Sequence, residues 1–197
     1  MGGRRSPTTV ARPVASRVVE VAPDDAADRR WMEEAIREAV AAGARGEIPV
    51  GAVIVLGGRL IARAGNASVA EHDPTGHAEM RALRDAGRAV GNYRLVGATL
   101  YATIEPCLMC VGAAIHARVA RLVYGCADPK AGAAGSVFDL AADPRLNHRI
   151  AVTSGVAEPT CRALVQDFFR ARRGPEPWPC RGRCARQGGS GEVREPG

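Results

Sequence analysis

Residues 98–116 read ATLYATIEPCLMCVGAAIH, and the passage from strand to helix inside that stretch decides the fold. ATLYATI reads as a strand ending at Glu105-Pro106. Proline is tolerated in the first turn of a helix, so Cys107 and Cys110, three residues apart, fall on one face near a helix N-terminus. There the helix dipole favours thiolate over thiol. Cys107 is thereby expected just beyond the C-terminal edge of a sheet, where open α/β sheets place their ligands.

A second segment matches the first. His77-Ala78-Glu79 opens HAEMRALRDAGRAV, in which Ala78, Leu83, Ala86 and Val90 recur at roughly helical spacing. Two helix N-termini would then face one ion. Imidazole nitrogen and thiolate sulfur are zinc ligands, and three protein ligands leave a fourth position for water, the catalytic arrangement. His77, Cys107 and Cys110 are therefore the expected metal ligands. Glu79, in the first turn but not needed as a ligand, is placed to move protons between that water and a substrate nitrogen. Two plainer readings stand beside this one. A structural zinc would need a fourth ligand, for which Cys126, Cys161, His72, His116 and His148 are available, but such a site has no use for Glu79. A redox Cys-x-x-Cys pair leaves His77 and Glu79 unexplained.

Working outward, Asp28–Ala42 carries Trp31, Met32, Ala35, Ile36, Ala39 and Val40 at helical spacing. VGAVIVLGGRLIARAGN (50–66) reads as a β-hairpin turning at Gly57-Gly58. A loop over residues 67–75 delivers His77. RLVYGC (121–126) and RIAVTSG (149–155) read as the fourth and fifth strands. EPTCRALVQDFFRARRG (158–174) reads as the last helix, with Pro159 near its start. Its stripe of Cys161, Leu164, Val165, Phe168 and Phe169 is expected to pack on the sheet. The order helix, hairpin, helix, strand, helix, strand, strand, helix gives a layered α/β domain with a mixed five-stranded sheet.

Composition frames this domain. A chain of 197 residues, 46% hydrophobic, can bury one sizeable core. No run of 18 apolar residues occurs. The net charge of +6 sits at the ends. Residues 31–167 balance 14 basic against 14 acidic groups, residues 1–30 hold six Arg against four acids, and residues 168–197 hold seven Arg against three. The basic C-terminal part suits phosphate, although basic tails are often merely solvated. Cys126 and Cys161 lie in apolar contexts that suit buried free thiols of a reducing compartment. Cys180 and Cys184 fall in a Pro/Gly/Arg-rich tail too poor in apolar groups to fold. The expected organisation is a disordered N-terminal extension over 1–27, a zinc-dependent catalytic domain over 28–173 and a disordered basic tail over 174–197.

His-x-Glu with Pro-Cys-x-x-Cys is the established signature of the zinc nucleobase deaminases. The wider match adds EIPVGAVIV (47–55), HDPTGHAEMRALR (72–84), NYRLVGATLY (92–101), EPCLMCVGAAIH (105–116), GAAGS (132–136), LNHR (146–149) and DFFRARR (167–173). Together these resemble the bacterial tRNA-specific adenosine deaminases, over about residues 28–173. The resemblance implies the three-layer α/β/α cytidine-deaminase-like fold, one zinc ion per subunit, and hydrolysis of wobble adenosine to inosine in a tRNA anticodon, mainly that of an arginine tRNA. It also implies a homodimer packed through the helix bearing Gly112, Ala113 and Ala114, and a cytoplasmic setting without a membrane. By the same resemblance Asn66 bonds the extruded nucleoside, the backbone of Ala78 holds the purine edge, and Asn147 orients the target nucleotide. Asp128, Lys130 and Arg170 approach the RNA. Gly76 stands where the family usually has Ala, which is expected to loosen the turn before His77. Ala131 replaces a common Thr, with loss of one polar contact. The alternative enzyme is a guanine or cytosine deaminase on the same zinc core, and the non-enzymatic alternative an RNA-binding module with structural zinc.

Overall fold

Gly57 and Gly58 turn the hairpin at φ of 56° and 71°. A two-residue turn with both central residues at positive φ matches the twist of the strands it joins, and glycine adopts it without steric cost. In the computed structural model, which describes residues 25–173, the hairpin strands are β1 (Gly51–Leu56) and β2 (Arg59–Gly65). The other elements are α1 (Asp25–Ala44), α2 (Ala78–Val90), β3 (Thr99–Ile104), α3 (Leu108–His116), β4 (Arg121–Cys126), β5 (Ala151–Ser154) and α4 (Glu158–Arg172). This is the order expected from the sequence.

The sheet runs β2-β1-β3-β4-β5. β1 is antiparallel to both β2 and β3, while β3–β4 and β4–β5 are parallel pairs. Strands β2, β3, β4 and β5 therefore share one direction. The helices that follow β2 and β3 both begin at the same C-terminal edge, and that places the site.

Alternation along the strands builds two cores. Ala52, Ile54, Leu100, Leu122 and Tyr124 face one way, against Ala78, Ala82 and Ala86 of α2 and Val111, Ala114 and Ile115 of α3. Val53, Val55, Tyr101 and Val123 face the other way, against Trp31, Met32 and Ala35 of α1 and Cys161 of α4. Side chains of successive strand residues point to opposite faces, so a sheet covered on both sides must be apolar at every position. The result is the three-layer α/β/α arrangement.

A polar tie locks α1 to the sheet. The Arg121 guanidinium donates to both oxygens of Asp28, at 2.7 Å each, and to Thr153 Oγ1 at 2.9 Å. The Tyr101 hydroxyl donates to Asp28 Oδ1 at 2.9 Å. One carboxylate thus joins α1 to β3, β4 and β5.

Several boundaries differ from expectation. α1 begins at Asp25, inside the stretch expected to be disordered, and β5 is shorter than the seven-residue run read for it. Residues 1–24 and 174–197, with Cys180 and Cys184, lie outside the described residues. The packing expected for the last aromatics also fails. Phe168 is half-buried beneath the Arg172 guanidinium, 4.3 Å from its ring centroid, and Phe169 is 41% exposed. The buried residue of α4 is Cys161, because the helix meets the sheet through its first turns and its second half runs past it. At the Gly76 turn the N–H donates to the Asp73 carbonyl and the carbonyl accepts from the Ala67 N–H, each at 2.9 Å.

Candidate active site

His77 is the N-cap of α2 and Cys107 the N-cap of α3; both backbones are extended there and neither side chain caps its own helix. N-cap positions ordinarily carry Ser, Thr, Asp or Asn, whose oxygens bond the first free N–H groups. Here the two side chains turn to each other instead. Pro106 accordingly lies just outside α3 and not in its first turn. The Cys107 and Cys110 sulfurs are 3.7 Å apart, and His77 Nδ1 lies 3.7 Å from the first and 3.6 Å from the second.

Those distances fit a metal. For tetrahedral zinc with Zn–S of about 2.3 Å and Zn–N of about 2.0 Å, the S···S edge is about 3.8 Å and each S···N edge about 3.5 Å. The three atoms already stand at that spacing. Among the described residues they form the group of potential ligands, without Cys126, Cys161, His72, His116 or His148. Three ligands with no fourth is the catalytic pattern.

Electrostatics agree with the donor set. Hydrogen bonding from Cys110 and His77 holds the Cys107 thiol down at about 3, while the same pairing and burial push Cys110 far above the ordinary thiol range. Bonding to Cys107 raises His77. Two thiols at this distance share one proton unless a cation lies between them, and a divalent ion removes that conflict. Glu79, the second residue of α2, is 2% exposed, and burial pushes its carboxyl above the usual range. It lies against Cys110 without belonging to the ligand set.

Two further buried carboxylates shape the walls. Glu47 accepts from the Ala70 N–H at 2.7 Å, the Val69 N–H at 3.0 Å and Asn66 Nδ2 at 3.4 Å. A carboxylate surrounded by donors fixes which end of the Asn66 amide faces it. The Asn66 carbonyl oxygen and its second amide hydrogen remain for a ligand. Glu105 accepts from the N–H groups of Asp128, Ala134 and Ser136 and from the Ser136 hydroxyl. Burial works to raise Glu105, but those bonds outweigh it and hold the carboxyl below its usual range.

Residues 25–126 match the family described as cytidine and deoxycytidylate deaminase zinc-binding region. The chain belongs to that family. The deaminase is also 46% identical over 146 residues to the tRNA-specific adenosine deaminase of Bacillus subtilis, covering 74% of this chain and 91% of the relative. Against the protein of the same description from Haemophilus influenzae it is 47% identical over 147 residues, covering 74% and 85%. A solved structure from work on A-to-I editing by tRNA:A34 deaminases at the wobble position of transfer RNA superposes with a TM-score of 0.67 at 47% identity. That match covers 68% of this chain and 98% of the solved one. Zinc is thus the metal for which His77, Cys107 and Cys110 are arranged.

The deaminase surrounds this centre with a cleft of about 780 Å³. Asn66, His77, Glu79, Cys107, Asp128 and Lys130 all line it. Ala78 and Cys110 are buried. Asn147 and Arg170 are not among the lining residues. Asn147 is exposed and accepts twice from Arg118, and Arg170 is paired with Asp167 at 2.9 Å. Sequence reasoning passed over Glu47, Glu105 and the rim formed by Ile48, Val69, Arg162 and Phe169. The signal for the two carboxylates was present: each is an isolated acid against an apolar strand, at GEIPVGAV and ATIEPC, where burial demands partners.

Proposed function

We propose that this deaminase hydrolyses adenosine to inosine at the wobble position of a tRNA anticodon, with an arginine tRNA as the substrate. The observation that carries the reading is a three-ligand metal centre beside a buried, non-ligating carboxylate on the floor of an open cleft. The two tRNA-specific relatives and the A34 deaminase structure supply the substrate class.

When bound, zinc supplies a water acidified toward neutral pH. The residues of this chain do the rest. Glu79 takes a proton from that water and gives it to N1 as oxygen adds at C6, then takes the remaining proton of that oxygen and gives it to the departing amine, so that water and adenosine become inosine and ammonia. Asn66, oriented by Glu47, bonds the nucleoside, and the Ala78 backbone holds the purine edge. Asp128, Lys130, Asn147 and Arg170 approach the RNA. The target must be out of the stack to reach the floor, and an anticodon loop presents it at small cost. Unpaired neighbours find apolar surface at Ile48 and Val69 and an aromatic face at Phe169, which suits bases recognised by stacking.

The enzyme acts as a homodimer through the open face of α3. A Cβ added at Gly112 meets nothing within 4 Å, so that face is free to receive a second copy. A monomeric mass at micromolar concentration would contradict this. No described helix is long and apolar enough to cross a membrane, and a tRNA substrate supports a cytoplasmic setting.

The deciding experiment offers a transcribed arginine tRNA, free adenosine, guanine and cytosine to one zinc-quantified preparation. Inosine at the wobble position alone is the expected result. Turnover of a free base with untouched tRNA would move the enzyme to small-molecule deamination.

A further inference from the structure

Glu105 is a buried acid beside the site for which the deamination chemistry has no use. It follows β3, precedes the ligand Cys107 by two residues and is 1% exposed. A buried carboxylate must be compensated by donors or a cation. This one is met by the N–H groups of Asp128 at 3.1 Å, Ala134 at 2.9 Å and Ser136 at 3.0 Å, and by the Ser136 hydroxyl. All four donors belong to the irregular stretch between β4 and β5. They are spread over nine residues of sequence, so the carboxylate sets the curvature of that stretch, not one local turn.

The same stretch is fastened to the metal-binding turn immediately after Glu105. Ala133 N–H donates to the Pro106 carbonyl at 2.9 Å, and Gly132 pairs with Cys107 in an isolated antiparallel bridge. The approach is so close that a Cβ on Gly132 would lie 2.4 Å from the Glu105 carboxyl carbon. The other side of the loop, through Asp128, Pro129, Lys130 and Ala131, forms a wall of the cleft. One side of a single loop therefore grips a buried charge next to the zinc turn, and the other side faces the substrate.

We infer that Glu105 is a positioning residue for substrate binding: it holds the 128–136 loop in the one shape that presents Asp128 and Lys130 to RNA beside the metal centre. The inference rests on the tRNA reading above. The bonds of the Glu105 carboxylate all go to the loop, so its loss acts on affinity for the nucleic acid more than on the step at the bound base.

The test compares wild type with Glu105→Gln and Ser136→Ala on an anticodon stem-loop, with zinc content and amide exchange measured alongside. Glutamine keeps the shape but turns an NH2 toward donors that need an acceptor. Loss of bonds to an ionised group is expected to raise KM about tenfold. The kcat should change far less, zinc should stay at one per chain, and the Ala134 and Ser136 amides should exchange faster. Ser136→Ala removes one donor from an exposed position where folding is not at risk; KM should rise about threefold. An unchanged KM in Ser136→Ala and in folded Glu105→Gln, beside an active wild type, would overturn the inference alone. A fall in kcat at constant KM would also overturn it, by assigning Glu105 to the chemistry. Wild type inactive on the stem-loop would defeat the substrate reading and this inference with it.

Discussion

Replacing Asp28 by alanine should unfold this enzyme more readily than any change at its surface. Asp28 is 1% exposed, and its partner Arg121 keeps only 13% of its side-chain surface in solvent. Both guanidinium bonds to the carboxylate are 2.7 Å long, the short range of charge-assisted pairs. Truncation takes from the buried Arg121 guanidinium the carboxylate that both of its short bonds reach, and from the Tyr101 hydroxyl its bond to the same group. Removing one member of a buried pair costs about 3–5 kcal/mol, a large share of the roughly 5–15 kcal/mol that holds a domain folded. For a domain of this size that corresponds to a fall in Tm of about 6–20 °C. The penalty belongs to the stranded charge. The double variant Asp28→Leu, Arg121→Met should therefore return to within about 2 kcal/mol of wild type. Urea unfolding of the zinc-loaded proteins gives all the values needed. A loss below 1 kcal/mol for Asp28→Ala, or a double variant as weak as the single one, would refute the reasoning.

At the centre, Glu79→Gln should retain one zinc per chain by metal analysis and lose about 100- to 10,000-fold in kcat; substantial residual deamination would remove Glu79 from proton transfer. Lys130→Ala should weaken stem-loop binding and make its salt dependence shallower by about 0.7 in log–log slope, as for one phosphate contact to a single strand. An unchanged slope in a filter-binding titration would exclude that contact. Gly132→Ala forces a methyl group within 2.6 Å of the Asp128 carbonyl as well as against Glu105. Overpacking of this kind should cost about 1–3 kcal/mol in thermal unfolding, and a neutral result would mean that the loop yields.

The element order and the metal ligands were legible because each rests on local pattern or on chemistry with few substitutes. Gly57-Gly58 between two apolar runs admits little but a hairpin, and two cysteines three apart after a proline, with a distant His-x-Glu, narrow the ion and its geometry together. What escaped depends on contacts far apart in sequence. Glu47 and Glu105 look like surface acids until the loops that donate to them, up to 31 residues away, are in place. Phe169 sits in an apolar stripe, and only the angle at which α4 leaves the sheet turns it to the cleft and not the core. The start of α1 at Asp25 was hidden because DDAADRR is polar, and its anchor, Arg121, is 93 residues further on.

The placement of His77 and Cys107 at the heads of two different helices has a consequence beyond catalysis. They are 30 residues apart in sequence, so a shared ion ties the β1–β2–α2 half of the domain to the β3–α3 half as a covalent crosslink would. By the loop-closure relation for such crosslinks, closing about 30 residues lowers the entropy of the unfolded chain by the equivalent of about 3–4 kcal/mol at 25 °C. Metal supply then governs how much of the protein survives as well as how much of it is active. In a zinc-starved cell the shortage would fall twice on the same pool, once as lost turnover and again as chains delivered to proteases.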